Sequence, residues 1–164
     1  NLSQIAQHFI NSTSDVLFGA FAVGVARALT IVMEDGQIID TIINYMSTVL
    51  AILPKTIAAV GMITVQNLIN FFIPSGSGQA ATSMPIMAPL ADAIGLTRQT
   101  AVLAFQFGDG FSNLFWPTSS ATLCGLMSLP INKWYKFITP LFLIMLLLQI
   151  IFIIIAVIIN YGPF

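Results

Sequence analysis

Residues 137–159 form a run of 23 without a charged side chain, and Gln149 is the run's one strongly polar member. A bilayer core of about 30 Å takes about 20 helical residues at a rise of about 1.5 Å each. The run therefore spans a membrane with some tilt. It lies too far along the chain to read as a signal peptide. Composition points the same way. Hydrophobic residues make up 57% of the chain and charged residues 7%, with a mean hydropathy of +0.95. A soluble domain carries about 25% charged residues, so this chain has too little polar surface to cover itself in water. The expectation is an all-α integral membrane protein.

Several function classes fall away on composition. The net charge is −1, with no basic patch to hold nucleic acid. Cys124 is the sole cysteine, which excludes a disulfide framework and a multi-cysteine metal site; in its apolar run it reads as a packing residue. His8 lies outside every apolar segment and reads as a solvated side chain. No cofactor is expected.

Residues 1–15 are polar with a helical stripe of Leu2, Ile5, Phe9 and Ile10, read as an interfacial helix ending near Ser14-Asp15. Residues 16–33 form a first transmembrane helix, with Gly19, Val23 and Arg27 on one face. Small residues there let another helix approach, and an arginine at that depth has to face protein, water or a carboxylate. Residues 37–53 alternate an apolar face (Ile39, Ile42, Ile43, Met46, Leu50) with a polar one (Asp40, Thr41, Asn44, Thr48). This is an amphipathic helix lying in the interface, or a span packed on one side against polar protein.

Residues 55–95 hold two apolar helical arms around the tip 74–79, Pro-Ser-Gly-Ser-Gly-Gln. The first arm carries Gln66, Asn67 and Asn70, and Pro85 and Pro89 interrupt the second. Such a pattern reads as a re-entrant hairpin, because bare backbone is tolerated at membrane depth only inside protein or beside a wet cavity. Residues 99–129 exceed one straight span and break near 108–120, at Gly108-Asp109-Gly110-Phe111-Ser112-Asn113 and again around Trp116-Pro117. The last span, 137–159, follows a connector containing Lys133 and Lys136.

The tip and the break carry the chemistry. An unwound helix exposes carbonyls that coordinate cations at one end and amides that attract anions at the other. Glycine lets backbone approach a ligand, and serine hydroxyls and side-chain amides add neutral oxygens for a hard cation. The candidate solute- and ion-binding residues are Asn70, Ser75, Gly76, Ser77, Gly78, Gln79, Gly108, Asp109, Gly110, Ser112, Asn113, Thr118 and Ser119. A sodium site would draw on Ser75, Ser77, Asp109 and Asn113. Asp109 is the only acid after Arg98. An intramembrane carboxylate ligates a cation, carries a proton, or pairs structurally with Arg27. Asp92 lies near the end of its arm and reads as interfacial. Trp116 either packs at the break or walls the solute site, and Gln66, Asn67 and Asn70 either line the cavity or join helices.

Two long runs also carry a resemblance. Asn70-Phe-Phe-Ile-Pro-Ser-Gly-Ser-Gly-Gln-Ala-Ala-Thr-Ser-Met-Pro-Ile-Met-Ala-Pro-Leu-Ala-Asp92 and Arg98-Gln-Thr-Ala-Val-Leu-Ala-Phe-Gln-Phe-Gly-Asp-Gly-Phe-Ser-Asn113 resemble the anaerobic four-carbon-dicarboxylate carriers. The likeness is to their YfcC-like branch, within the ion transporter superfamily. It covers nearly the whole chain and matches the C-terminal portion of a longer protein. It implies one inverted-repeat half of a secondary transporter, a homodimer with an elevator-like mechanism in the bacterial inner membrane, and a missing N-terminal half. It implies that residues 75–78 form the second hairpin tip, with a Ser-Gly-Ser-Gly sequence where better-studied relatives have Ser-Asn-Thr. Carboxylates and basic amino acids are both assigned within the branch, so the resemblance leaves the solute open and the coupling ion as Na⁺ or H⁺. Charge alone sets Lys55 and Arg98 against Lys133 and Lys136, two on each side; the resemblance puts the latter pair in the cytoplasm.

The expected function is ion-coupled transport of a small organic solute. A passive channel or a structural membrane subunit are the alternatives. An intramembrane protease ranks last. A serine nucleophile needs a base, and His8 is far from the core; an aspartyl pair needs a second acid at the depth of Asp109.

Overall fold

The structure, a computed structural model, describes residues 2–162, apart from the side chains of residues 14–16, 18–19, 22–23, 26–27 and 29–30. Seven α-helices follow in chain order among the described residues: α1 (Leu2–Asp35), α2 (Ile38–Ala51), α3 (Lys55–Phe72), α4 (Gly76–Ala93), α5 (Arg98–Gly110), α6 (Pro117–Leu126) and α7 (Ile131–Ile158). A short 3₁₀ turn, Ser112–Leu114, sits between α5 and α6. There is no strand among the described residues.

The helix α1 is continuous through the stretch expected to end near Ser14-Asp15. No proline or glycine interrupts residues 2–18, and polar side chains there are absorbed locally. The Thr13 hydroxyl donates to the Phe9 carbonyl at 2.9 Å, and Gln7 donates to Asn11 at 3.2 Å. Such bonds one turn apart let a polar residue stay helical. The face of Gly19, Val23 and Arg27, and with it a pairing of Arg27 with Asp109, lies outside the described residues. The helix ends at Gly36 and Gln37, where Gln37 takes the left-handed conformation at φ 52°, and it packs along α6 and α2.

The apolar stripe of α2 is laid against the α3–α4 pair. Ile39, Ile43, Ser47 and Leu50 are buried, while Thr41, Asn44, Tyr45 and Thr48 stay exposed. Leu50 occupies the space left by Gly61 on α3, where a Cβ would come within 2.5 Å of its side chain.

At the centre is α3, which packs against α5 and α7. Its buried residues run from Ala58 and Ala59 through Met62, Ile63 and Val65 to Gln66, Asn67, Ile69 and Asn70. The α5 crossing is close because Gly108 has no side chain. A Cβ there would lie 2.3 Å from Gln66 Cβ and 3.0 Å from the Asn67 nitrogen. On α4 the buried residues Gln79, Ser83, Met87 and Ala91 recur every four residues. Pro85 and Pro89 occupy the exposed side, so the backbone donors they remove are lost away from the core.

Among the described residues, α7 is the one helix long and apolar enough to cross a membrane. At about 1.5 Å per residue its 28 residues reach about 42 Å.

Candidate functional site

Two interruptions meet at one place: residues 73–75 between α3 and α4, and residues 111–116 between α5 and α6. Local chemistry accounts for both. Ser75 is extended at φ −151° and caps α4, its hydroxyl accepting from the Gly78 N–H at 3.4 Å, as N-cap serines do. Trp116 is extended at φ −68° and ψ 144°, the conformation favoured before a proline, and Pro117 starts α6 where no donor is needed.

Asn70 is the hub between them and is fully buried. Its Nδ2 donates to Asp109 Oδ1 at 2.8 Å and to Gln79 Oε1 at 3.0 Å. Its Oδ1 accepts from the Ser112 hydroxyl at 2.8 Å. Gln79, also fully buried, donates onward to the Gln66 side-chain and backbone oxygens, both at 2.8 Å. The Ser83 hydroxyl donates to the same Gln66 Oε1 at 3.1 Å. Asn113 Nδ2 donates to the Asp109 carbonyl at 2.8 Å and reaches its Oδ1 at 3.4 Å. One continuous polar network thus joins α3, α4, the end of α5 and the 3₁₀ turn. Two buried polar atoms in this region have no partner among the described residues, Gln66 Nε2 and Asn67 Oδ1.

Asp109 is 9% exposed. The side-chain hydrogen bonds to its carboxylate come from two neutral amides, Asn70 and Asn113. Its second oxygen, Oδ2, lies against the tip; a Cβ on Gly76 would stand 3.1 Å from it. Glycine at 76 therefore lets the first turn of α4, the positive end of that helix, close onto the carboxylate. The sole ion pair among the described residues lies elsewhere. Asp92 and Arg98 meet at 2.7 Å on the surface, 45% and 61% exposed.

The sequence-predicted residues divide by location. Asn70, Gln79, Asp109, Ser112 and Asn113 are joined in the network, and Gly76 and Gly108 provide its close contacts. Ser75 and Gly78 are occupied in capping α4. Ser77 and Gly110 are exposed. Thr118 and Ser119 lie on the first turn of α6, where with Pro74 and Thr122 they line an open concavity of about 260 Å³. No group of three or more His, Cys, Asp or Glu side chains gathers among the described residues, so any cation here would take mainly neutral oxygens.

Of the two readings of Trp116, packing at the break is the one its contacts match, whereas the neighbours that α7 supplies are not evident from the sequence. The indole N–H of Trp116 donates to the Asn67 carbonyl at 2.9 Å, tying the break to α3. From α7, Trp134 donates to the Leu114 carbonyl at 3.1 Å and Tyr135 to the Phe115 carbonyl at 2.9 Å. The Tyr135 hydroxyl also meets that of Ser120 at 3.1 Å. Phe142 stacks on Phe115 with ring centroids 4.3 Å apart and on Phe111 at 6.0 Å. Carbonyls that a broken helix leaves without intrahelical donors are thus paired by aromatic residues some 20 positions later. Two adjacent aromatics before a long apolar run were the available signal, and they read equally as an interfacial belt.

Comparison with known proteins places the sequence among carriers. The model of the C4-dicarboxylate anaerobic carrier family matches residues 2–158. A protein of Escherichia coli (strain K12) described as "Putative basic amino acid antiporter YfcC" is 36% identical over 142 residues, covering 82% of this chain and 28% of its own length. An uncharacterized protein of Haemophilus influenzae (strain ATCC 51907 / DSM 11121 / KW20 / Rd) is 34% identical over 155 residues, covering 93% of this chain and 30% of its own. A second Escherichia coli (strain K12) protein, described as "Putative short-chain fatty acid transporter", is 34% identical over 62 residues, covering 36% of this chain and 14% of its own. The chain thus spans less than a third of the length of the curated relatives it matches. No solved structure matches it significantly. These matches point to a carrier rather than an enzyme, and this chain belongs to the C4-dicarboxylate anaerobic carrier family.

Proposed function

We propose that the chain supplies one half of an ion-coupled secondary transporter for a small organic solute, as part of a longer, multi-pass protein of the bacterial inner membrane. One observation carries this reading: Asp109 is buried at a helix break, paired by neutral amides and closed upon by the glycine tip of α4. A carboxylate taken out of water without a basic partner is costly. A bound Na⁺ or a proton neutralises it, and so links ion binding to the fit between tip and break.

A Na⁺ site in this reading draws on Asp109 Oδ2, the Ser75 and Ser77 hydroxyls and the Asn113 amide oxygen, a donor set suited to a hard cation, once Ser75 leaves its cap on α4 and Asn113 turns its oxygen inward. In this reading α3 and α4 form the re-entrant hairpin, with α5 and α6 as the discontinuous helix. The ordered tip then moves with its cargo in an elevator-like step, within a homodimer. The solute lies in the concavity of Pro74, Thr118, Ser119 and Thr122, completed by the other half of the protein. Dicarboxylates, short-chain fatty acids and amino acids all carry a carboxylate. The first turn of α6, with free amides and hydroxyls, suits that group.

The test is uptake by the longer protein in proteoliposomes, with sodium and proton gradients imposed in turn and a panel of dicarboxylates, acetate and basic amino acids. Accumulation driven by one gradient supports coupled transport and identifies ion and solute class together. Equilibration indifferent to both gradients contradicts it and favours a channel.

A further inference from the structure

We propose that Trp116 is a positioning residue that sets the spacing between the two walls of the solute concavity, and through it the length of solute that this half accepts. The proposal rests on the solute lying in that concavity, and it adds which residue fixes the width.

The two walls come from different parts of the chain. Pro74, just after α3, supplies one, and Thr118, Ser119 and Thr122 on α6 supply the other. Trp116 lies two positions before Thr118, and its side chain reaches the last two turns of α3. The indole N–H donates to the Asn67 carbonyl at 2.9 Å. The ring meets Phe71 edge-on, with centroids 5.1 Å apart and planes at 76°, and Phe71 lies three positions before Pro74. Phe115 packs on the same ring at 5.6 Å and 70°. A tryptophan has two side-chain torsions, so a hydrogen bond and two ring contacts leave it little freedom.

The backbone of Trp116 carries that constraint into α6 without slack. Trp116 is extended at ψ 144° and Pro117 opens the helix, and proline fixes its own φ. No loop residue intervenes to absorb a shift. The Trp116 carbonyl accepts from the Ser120 N–H at 3.1 Å and from the Ser120 hydroxyl at 3.0 Å, so its backbone belongs to the first turn of α6. One residue thus joins the wall that follows α3 to the wall on α6. The lining itself is a proline and three hydroxyl side chains, all uncharged. On this half, carboxylates of different length are therefore told apart by space rather than by a second charge pair.

Trp116→Phe tests this in the purified longer protein. It keeps a ring between Phe71 and Phe115 and removes the donor to Asn67. The first readout is hydrogen exchange at residues 117–122, expected to speed up several-fold as the first turn of α6 comes off α3. The second is uptake kinetics in proteoliposomes for a graded series of acetate, butyrate, hexanoate, succinate and adipate. KM for the best wild-type solute is expected to rise several-fold at an unchanged maximal rate per folded protein, and the rank order to move toward longer solutes. Phe71→Leu takes away the ring contact from the α3 side and leaves the N–H bond. It is expected to move both readouts the same way, and it serves where Trp116→Phe does not fold. A tryptophan with a merely structural role lowers the amount of folded protein and leaves KM and rank order as they are. That result, or exchange at 117–122 equal to wild type, overturns the proposal. If wild type takes up none of the series, the placement of the solute fails, and exchange still decides whether Trp116 holds α6 to α3.

Discussion

Asn70 and Asp109, 39 positions apart, meet at 2.8 Å where the interruption after α3 faces the interruption after α5. The same Asn70 nitrogen holds Gln79 on α4 at 3.0 Å, so one side chain links three helices to the one buried carboxylate described in the chain.

Replacing that hub has a definite cost. Asn70→Leu keeps volume but removes donors from Asp109 and Gln79 and an acceptor from Ser112. A buried polar group left unpaired costs about 1–3 kcal/mol, and several are created at once. The expected outcome is a lowered melting temperature and poor yield of the longer protein, measured by thermal unfolding in detergent. Wild-type melting would remove Asn70 from the hub role.

The two glycines flanking Asp109 separate by environment. Gly108→Ala puts a Cβ 2.3 Å from Gln66 Cβ and 3.0 Å from the Asn67 nitrogen, forcing α5 off α3 at about 1–3 kcal/mol. Gly110→Ala meets nothing within 4 Å and is expected to melt like wild type or slightly higher, since alanine favours helix over glycine. Parallel melting curves check the pair, and equal effects would contradict the close crossing.

On α7, Tyr135→Phe removes the donor to the Phe115 carbonyl and the contact with Ser120, while the ring stays against Phe115 with centroids 5.7 Å apart. The expected loss is about 1 kcal/mol. Phe142→Ala removes both stacked contacts at the break and is expected to cost about 3–5 kcal/mol if the site closes poorly. Hydrogen exchange at residues 111–116 is expected to speed up in both variants; unchanged exchange would show that α7 does not hold the break.

How much of this was legible depended on how local the cause was. The interruptions at Pro74-Ser75-Gly76 and at Trp116-Pro117 could be read from sequence because a cap and a proline act on their own neighbours. Residues 1–15 and 16–33 read as two elements because Ser14-Asp15 look like a helix end, yet Thr13 bonds within the helix and α1 continues to Asp35. Asn70 and Asp109 were legible as candidates, as polar residues at apolar depth. Their pairing was not, because it depends on how α3 crosses α5 and neither periodicity nor spacing encodes it. Gln66 was legible only as cavity lining or helix glue. Its place in the buried polar network appears only once Gln79 and Ser83 are seen to share its oxygen. Trp134 and Tyr135 had the local look of an interfacial belt, and their bonds to carbonyls 20 residues away left no trace in pattern.

The most direct measurement is solute accumulation by the Asp109→Asn form of the longer protein in proteoliposomes, beside wild type, under whichever ion gradient drives the wild type. The variant keeps the shape of the side chain and removes the charge. The expected result is a folded protein, by its melting curve, whose gradient-driven accumulation falls to background. Full accumulation by a folded Asp109→Asn protein would contradict the claim that this carboxylate carries the coupling.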